Sequence, residues 1–291
     1  MEPKVRDKFA AFILTHGRPD RVYTYDTLRR CGYTGPIYLI VDNLDKTVDQ
    51  YRELYGDQVY VFDKEEIART FDKGDNFADH RAIIFARNAS FYIAEALGLD
   101  YFIQLDDDYR HFQYRFNDKL DYKPKVIKRL EDIFAALLKF YANTNVASLA
   151  VCQGGDFIGG EGSPNAEIVR LKRKCMNSFI CSPKRRFQFI GRINEDVNTY
   201  TRLASTGLLL LSTNQLTLEQ TQTQSNAGGM TELYLDSGTY VKSFYSVMYH
   251  PSSVTIRLMQ SKNKRLHHSI AWKNTVPMIL RENVRKKLIT P

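Results

Sequence analysis

Long apolar runs are missing from this sequence. The longest purely aliphatic stretch is Leu208 to Leu211, far short of the roughly 20 residues that span a bilayer. A membrane-spanning helix is therefore not expected, and a soluble protein is. The opening segment MEPKVRDKFA is charged and lacks the apolar stretch of a secretory leader, which predicts a cytoplasmic location. Cysteine is sparse. Cys31, Cys152, Cys175 and Cys181 form no CxxC pair and no dense framework, which points to free thiols in a reducing compartment and not to a disulfide scaffold or a zinc site. There is no Walker pattern, no GxGxxG behind a strand, no internal repeat and no clear linker. What remains is a 291-residue chain, 43% hydrophobic and 25% charged, long enough for one large α/β domain.

The net charge of +8 is unevenly placed. From Arg257 to Pro291 nine Lys and Arg stand against Glu282 alone, so that segment carries the whole excess. A second group, Arg170, Lys172, Arg173, Lys174, Lys184, Arg185 and Arg186, has no acid between its ends. Segregated positive charge attracts polyanions. Lys172, Arg173, Lys174, Lys184, Arg185, Arg186, Lys262, Lys264 and Arg265 are accordingly the candidate nucleic-acid contacts, against the plainer reading of a solvated surface.

The first hundred residues alternate strand and helix signals. KFAAFILTHGRP reads as an apolar strand ending in a polar loop, and PDRVYTYDTLRRCGY as a helix closed by Gly32. GPIYLIVDN, QVYVFDK and YFIQLDDD read as further strands, with helices over TVDQYRELYG and HRAIIFARNASFYIAEALGLD between them. Such alternation means βαβ units and a largely parallel sheet. Farther on, PKVIKRLEDIFAALLKFYANT predicts an amphipathic helix and VASLAVCQGG a strand. NEDVNTYTRLASTGLLLLS predicts loop, helix and a short strand, and the polar TNQLTLEQTQTQSNAGGMT a loop over the site. Ligands of parallel sheets gather beyond the carboxyl ends of strands. Three such ends here carry polar groups: Thr15 to Arg18, Asp42 with Asn43, and Asp106 to Asp108.

Three adjacent carboxylates after an apolar strand repel one another and raise each other's pKa unless a cation is present. Alternation along a strand is expected to turn Asp106 and Asp108 to one face and Asp107 away. Mg²⁺ or Mn²⁺, held by one or two carboxylates and shared with a diphosphate, resolves the repulsion. The plainer alternative is an Asp-rich turn.

A strand delivering a DxD-type motif, after strands ending in THGRP and VDN, resembles the GT-A nucleotide-sugar glycosyltransferases. INEDVNTYTRLASTG is similar to the xED helix start of inverting members. ILTHGRP, ARN, LDDD, NEDVN, TQSNAGGMT and RLHHSIAW together resemble the phage glycosyltransferases associated with TET/JBP-type oxygenases, over roughly Phe9 to Pro277. The resemblance implies a GT-A-like (Rossmann-like) α/β fold, with a mixed, mostly parallel sheet flanked by helices in a single domain. In that domain residues 1–115 form the nucleotide-sugar half, 116–256 the acceptor half, and the basic 257–291 returns to the site. It implies sugar transfer, glucose being the expected sugar, from a UDP-sugar to 5-hydroxymethylcytosine in DNA, in the host cytoplasm if a phage encodes the chain. Asp108, with Asp106, would hold the metal, and His267 or His268 would be a further ligand, unless that pair contacts phosphate. Thr15, His16, Arg18, Asp42, Asp106 and Asp107 would line the donor pocket. Arg87 would pair with a phosphate or with a carboxylate. Asp196 would be the general base, with Glu195 as the neighbouring alternative, although both also suit a helix N-terminus. Other readings stay open: a GT-A enzyme with a glycan or protein acceptor, a metal-dependent nuclease, or a non-catalytic DNA-binding module.

Overall fold

Phe9–Leu14 is an unbroken apolar run, and its six residues are all buried. Its odd-numbered members, Phe9, Ala11 and Ile13, pack into one hydrophobic cluster and its even-numbered members, Ala10, Phe12 and Leu14, into another. The two-residue period of a strand thus divides one segment between two cores, the arrangement of a strand covered on both faces. The computed structural model describes residues 8–74, 80–157, 159–220, 241–259, 265–275 and 279–285.

In chain order the elements are β1 (Phe9–Leu14), α1 (Tyr23–Arg30), β2 (Ile37–Asp42), α2 (Val48–Tyr55), β3 (Val59–Phe62) and α3 (Lys64–Ala68). Next come α4 (Ile84–Ala96), β4 (Tyr101–Asp106), β5 (Tyr109–Phe116), β6 (Tyr122–Val126), α5 (Leu130–Ala142) and β7 (Ser148–Gln153). They are followed by β8 (Leu171–Lys172), β9 (Ser178–Cys181), α6 (Glu195–Ser205), β10 (Leu210–Gln220), β11 (Val254–Met259) and β12 (Arg265–Ile270). The main sheet runs β3-β2-β1-β4-β9-β7-β10-β5-β6, with β8 beside β10. Following the pairings, β5, β8 and β9 oppose the other seven strands, so the sheet is mixed and mostly parallel. Leu28 of α1, Tyr51 of α2 and Phe134 of α5 cover one face; Ile67 of α3, Phe85 and Phe91 of α4, and Val197 and Tyr200 of α6 cover the other. β11 and β12 form a separate hairpin. No helix among the described residues is long and apolar enough to cross a membrane.

The strands and helices expected up to Asp106 are present. Beyond it the sheet departs from expectation. YRHFQYRF is β5, an element that its charges disguised. The helix expected from Pro124 begins at Leu130, because Tyr122–Val126 is the edge strand β6. Pro124 fits an edge, where a missing amide hydrogen costs no ladder bond. Thr213–Gln220, read as loop, is the second half of β10: Leu216 and Leu218 enter the core, and Asn214 is buried, donating to the carbonyls of Asn165 and Ile168. The rest of that expected loop, including TQSNAGGMT, lies outside the described residues. β9 sits between β4 and β7, so strands from residues 1–115 and from 116–256 interleave in one sheet.

Candidate active site

Parallel pairing sets Leu14 beside Asp106, and β2 ends at Asp42 next to them. The carboxyl ends of β1, β2 and β4 therefore open into one cavity of about 1220 Å³.

The three adjacent carboxylates are sorted onto different partners. β4 ends at Asp106, and Asp107 and Asp108 form the turn into β5, so strand alternation does not govern their directions. Asp106 Oδ1 accepts from Arg87 Nη2 at 3.0 Å. Asp107 Oδ2 accepts from Thr15 Oγ1 at 2.7 Å and Arg18 Nε at 2.8 Å. It faces the β1 loop instead of pointing away, and all three residues line the cavity. Burial, partly offset by Arg87 and reinforced by Glu195 and Asp107, pushes Asp106 up to about 6. Burial and then the charges of Asp106 and Asp107 push Asp108 up to about 7.

The cavity wall around Asp107 is braced from behind. Thr15 Oγ1 is 2.8 Å from the Tyr51 hydroxyl, which accepts from the Arg18 amide at 3.0 Å. Asp42 accepts from Lys64 Nζ at 3.1 Å and lies 2.8 Å from His16 Nδ1. Burial raises its pKa, but those two partners outweigh burial and hold it below the ordinary carboxylate range. The buried Asp45 accepts from the Gly17 amide at 2.6 Å. Sequence reasoning missed Tyr51, Lys64 and Asp45. Lys64 opens a charged helix and gives no local sign of its partner 22 residues earlier.

Arg87 pairs with carboxylates, one of the two kinds of partner expected for it. Its side chain is 1% exposed, lies over the rings of Phe179 and Phe189, and donates from Nε to Glu195 at 2.8 Å as well as to Asp106. Its backbone carbonyl accepts from the buried Gln104. Arg87 is thus a clamp between the end of β4 and the start of α6, engaged with two carboxylates through Nε and Nη2, while its Nη1 is buried without a hydrogen-bond partner. An Arg87→Ala variant leaves the buried Glu195 and the partly buried Asp106 without their cation and is expected to lose about 3–5 kcal/mol of stability in urea denaturation. A loss under about 1 kcal/mol would mean that the clamp is dispensable.

Glu195 and Asp196 start α6, where the positive end of the helix favours carboxylates. Both are buried and both line the cavity. Burial raises both; Arg87 opposes this most strongly in each case. Asp196 Oδ1 accepts from the Val197 amide at 2.7 Å. Asn194, in the left-handed region at φ 54°, precedes them and donates to the Lys242 carbonyl, tying α6 to the helical segment 241–249.

The first basic group also reaches the cavity. Arg170, Lys172, Arg173 and Lys174 line it. Lys172 and Lys174 meet the buried Asp156 at 3.2 and 2.8 Å. Burial raises Asp156, but Lys174 and then Lys172 outweigh it and hold it below the usual carboxylate range. Lys184, Arg185 and Arg186 do not belong to that surface. β9 runs antiparallel to β4 and exits at Cys181 beside Phe102, the end of β4 away from the carboxylates. There Lys184 pairs with Asp100, Arg186 with Glu95, and Arg185 donates to three carbonyls. What looked like one cluster is therefore two, and the second lies at the end of β4 away from the cavity. Lys262, Lys264 and the side chain of Arg265 lie outside the described residues.

His267 and His268 both line the cavity. His268 Nδ1 is buried without a hydrogen-bond partner. Burial, then His267, Lys242 and Lys174, push its pKa down to about 4, which leaves a neutral imidazole able to ligate a metal. Among the described residues no three His, Cys, Asp or Glu side chains form a ready-made metal cage. A cation shared with a diphosphate needs only one or two protein carboxylates; Asp108 and His268 both line the cavity. The four cysteines are buried and unlinked.

The pKa shifts give a pH prediction. Asp106 and Asp108 titrate higher when folded than when unfolded, so their stabilising contribution is complete below about pH 4 and is lost as pH rises through 6 to 7. A cation offsets that loss only when the carboxylates are charged. Millimolar Mn²⁺ is therefore expected to raise the melting temperature more at pH 8 than at pH 5.5; equal shifts at both would contradict it.

A family model described as TET-Associated Glycosyltransferase matches residues 9–229. Solved structures similar to this chain include S. aureus TarS, at 11% identity and TM-score 0.46, covering 74% of this chain and 36% of that one. Another is GalNAc-T7 with UDP, GalNAc and Mn²⁺, at 11% identity and TM-score 0.43, covering 73% and 43%. The match spans less than half of either structure. No curated protein matches.

Proposed function

This chain belongs to the TET-associated glycosyltransferase family, and we propose that it is a glycosyltransferase that moves a sugar, expected to be glucose, from a UDP-sugar to the hydroxymethyl oxygen of 5-hydroxymethylcytosine in DNA, with inversion and with a divalent cation. The observation that carries this proposal is that Asp106 to Asp108, Asp196 and the basic residues Arg170 to Lys174 all face one cavity.

The nucleotide end of the donor binds against Thr15, His16, Arg18 and Asp42, a wall held rigid by Tyr51, Lys64 and Asp107. Asp108 and His268 would hold Mg²⁺ or Mn²⁺ together with the diphosphate. When bound, that cation neutralises the negative charge gathering on the departing UDP. Asp106, fixed by Arg87, shapes the floor beside it. Asp196 takes the proton of the acceptor hydroxyl as its oxygen attacks the anomeric carbon from the face opposite the diphosphate. UDP leaves with the electron pair of the broken C–O bond. Burial helps Asp196 here, since a raised pKa makes a stronger general base. Glu195, tied to Arg87, holds α6 in place. The hydroxymethylated base must leave the duplex stack to reach Asp196, at a cost of a few kcal/mol, and Arg170, Arg173 and Lys242 offer positive charge to the flanking phosphates.

The test is to incubate the protein with hydroxymethylated DNA, Mn²⁺ and a panel of UDP-sugars, digest the DNA and weigh the nucleosides. One added hexose on the modified cytosine is expected, at a rate that falls steeply with added salt. Turnover of a UDP-sugar onto glycan or protein acceptors, with DNA unchanged, would assign the acceptor elsewhere; nicking of the DNA would indicate a nuclease.

A further inference from the structure

The cavity wall beside Asp196 ends in a pair of stacked rings. Asp196 and Tyr200 are four residues apart on α6 and so share one face of the helix. Both line the cavity. The indole of Trp272 lies flat on Tyr200, with ring centroids 5.7 Å apart and planes 11° from parallel. The two rings differ in exposure: Tyr200 is 1% exposed and Trp272 is 37% exposed. Tyr200 is therefore sealed in the core, while the indole, which also lines the cavity, keeps part of its surface exposed.

The indole is also held still. Trp272 begins a single helical turn, Trp272–Thr275, directly after β12. The Ala271 amide donates to the Ser253 carbonyl at 2.7 Å, and Asn274 Nδ2 donates to the Ser252 carbonyl at 2.7 Å. These bonds tie the turn to the start of β11. His267 and His268 of the same strand line the cavity too, so the cation side of the site and the indole are linked by a few residues of paired strand. A rigid, flat, open aromatic face beside a buried carboxylate suits a planar ring carrying a reactive hydroxyl better than it suits a flexible chain.

We propose that the open face of Trp272 is the platform on which the planar ring of the acceptor, an extruded nucleobase, stacks so that its hydroxymethyl group is presented to Asp196. This deepens the function proposed above and rests on its acceptor being a nucleobase. Stacking on one aromatic side chain tolerates any base and is lost on truncation to alanine; the selectivity for hydroxymethylcytosine then comes from the presence of the hydroxyl beside Asp196 and not from the platform.

Trp272 is the chain's single tryptophan, so its fluorescence reports on this position without labelling. Titrating the wild-type protein, with UDP and Mn²⁺ present, with an oligonucleotide carrying hydroxymethylcytosine is expected to quench the emission as binding saturates. Saturation is followed independently by anisotropy of a dye on the oligonucleotide. In steady-state kinetics Trp272→Ala is expected to raise KM for the modified DNA at least tenfold more than KM for the UDP-sugar, and Trp272→Tyr to restore most of the loss. Saturating DNA without quenching overturns the platform, as does a KM rise that falls on the UDP-sugar, which would place the donor sugar on the indole. Quenching by DNA from a protein that transfers no sugar to it would leave the platform standing and remove the proposed reaction. Transfer without quenching does the reverse.

Discussion

Replacing Asp196 by asparagine is expected to slow sugar transfer about a thousandfold, within the 10²–10⁴ range typical of a lost general base. The substitution is well matched to its purpose. Asn keeps an oxygen where Asp196 Oδ1 accepts the Val197 amide at 2.7 Å, so the start of α6 survives, while the proton acceptor is gone. UDP-sugar binding should be little affected, because the donor wall of Thr15, Arg18 and Asp42 is built on other elements. Glu195→Gln makes the contrast. Its amide oxygen can still receive Arg87 Nε, and the loss of charge should cost stability and a smaller share of the rate. A nearly inactive Glu195→Gln beside an active Asp196→Asn would exchange the two roles.

Asp108→Asn is the second large effect. Burial and its two neighbours push the pKa of Asp108 up to about 7, the condition of a carboxylate in need of a cation. Without its charge, transfer is expected to fall by about 10³, the scale seen when one preorganised electrostatic contact to a transition state is removed. The mutant should also no longer distinguish Mn²⁺ from a chelator in its affinity for UDP. An Asp107→Asn variant should behave differently, since Asp107 is engaged with Thr15 and Arg18. It should loosen the β1 loop and weaken donor binding more than it slows turnover.

Much of the first hundred residues was legible because their signals are local. An apolar run such as Phe9–Leu14, a polar tail after it and a helix closed by Gly32 are each readable within about a dozen residues, and their repetition points to βαβ units and parallel strands. The triplet Asp106 to Asp108 announces itself for the same reason. What was illegible depends on partners far away in sequence. Arg87 looks like one charge on an otherwise apolar helix; only the fold brings Glu195, 108 residues later, against it. Lys184, Arg185 and Arg186 look continuous with Lys172 to Lys174 until β9 carries them to the opposite end of β4. Thr213–Gln220 reads as loop because of its polar residues, yet Asn214 and Thr217 among them are buried, Asn214 donating to the carbonyls of Asn165 and Ile168. Polar composition predicts exposure only where such partners are absent. Tyr200 and Trp272, far apart in the chain, form their stack by the same long-range route.

The most direct test of the central claim, that the acidic triplet grips a nucleoside diphosphate through a shared cation, is calorimetric titration of the wild-type protein with UDP at pH 8, once with Mn²⁺ and once with a chelator. Tight uptake with Mn²⁺ and at least hundredfold weaker binding without it is the expected result. Equal affinity in both, or no uptake in either, would contradict the account.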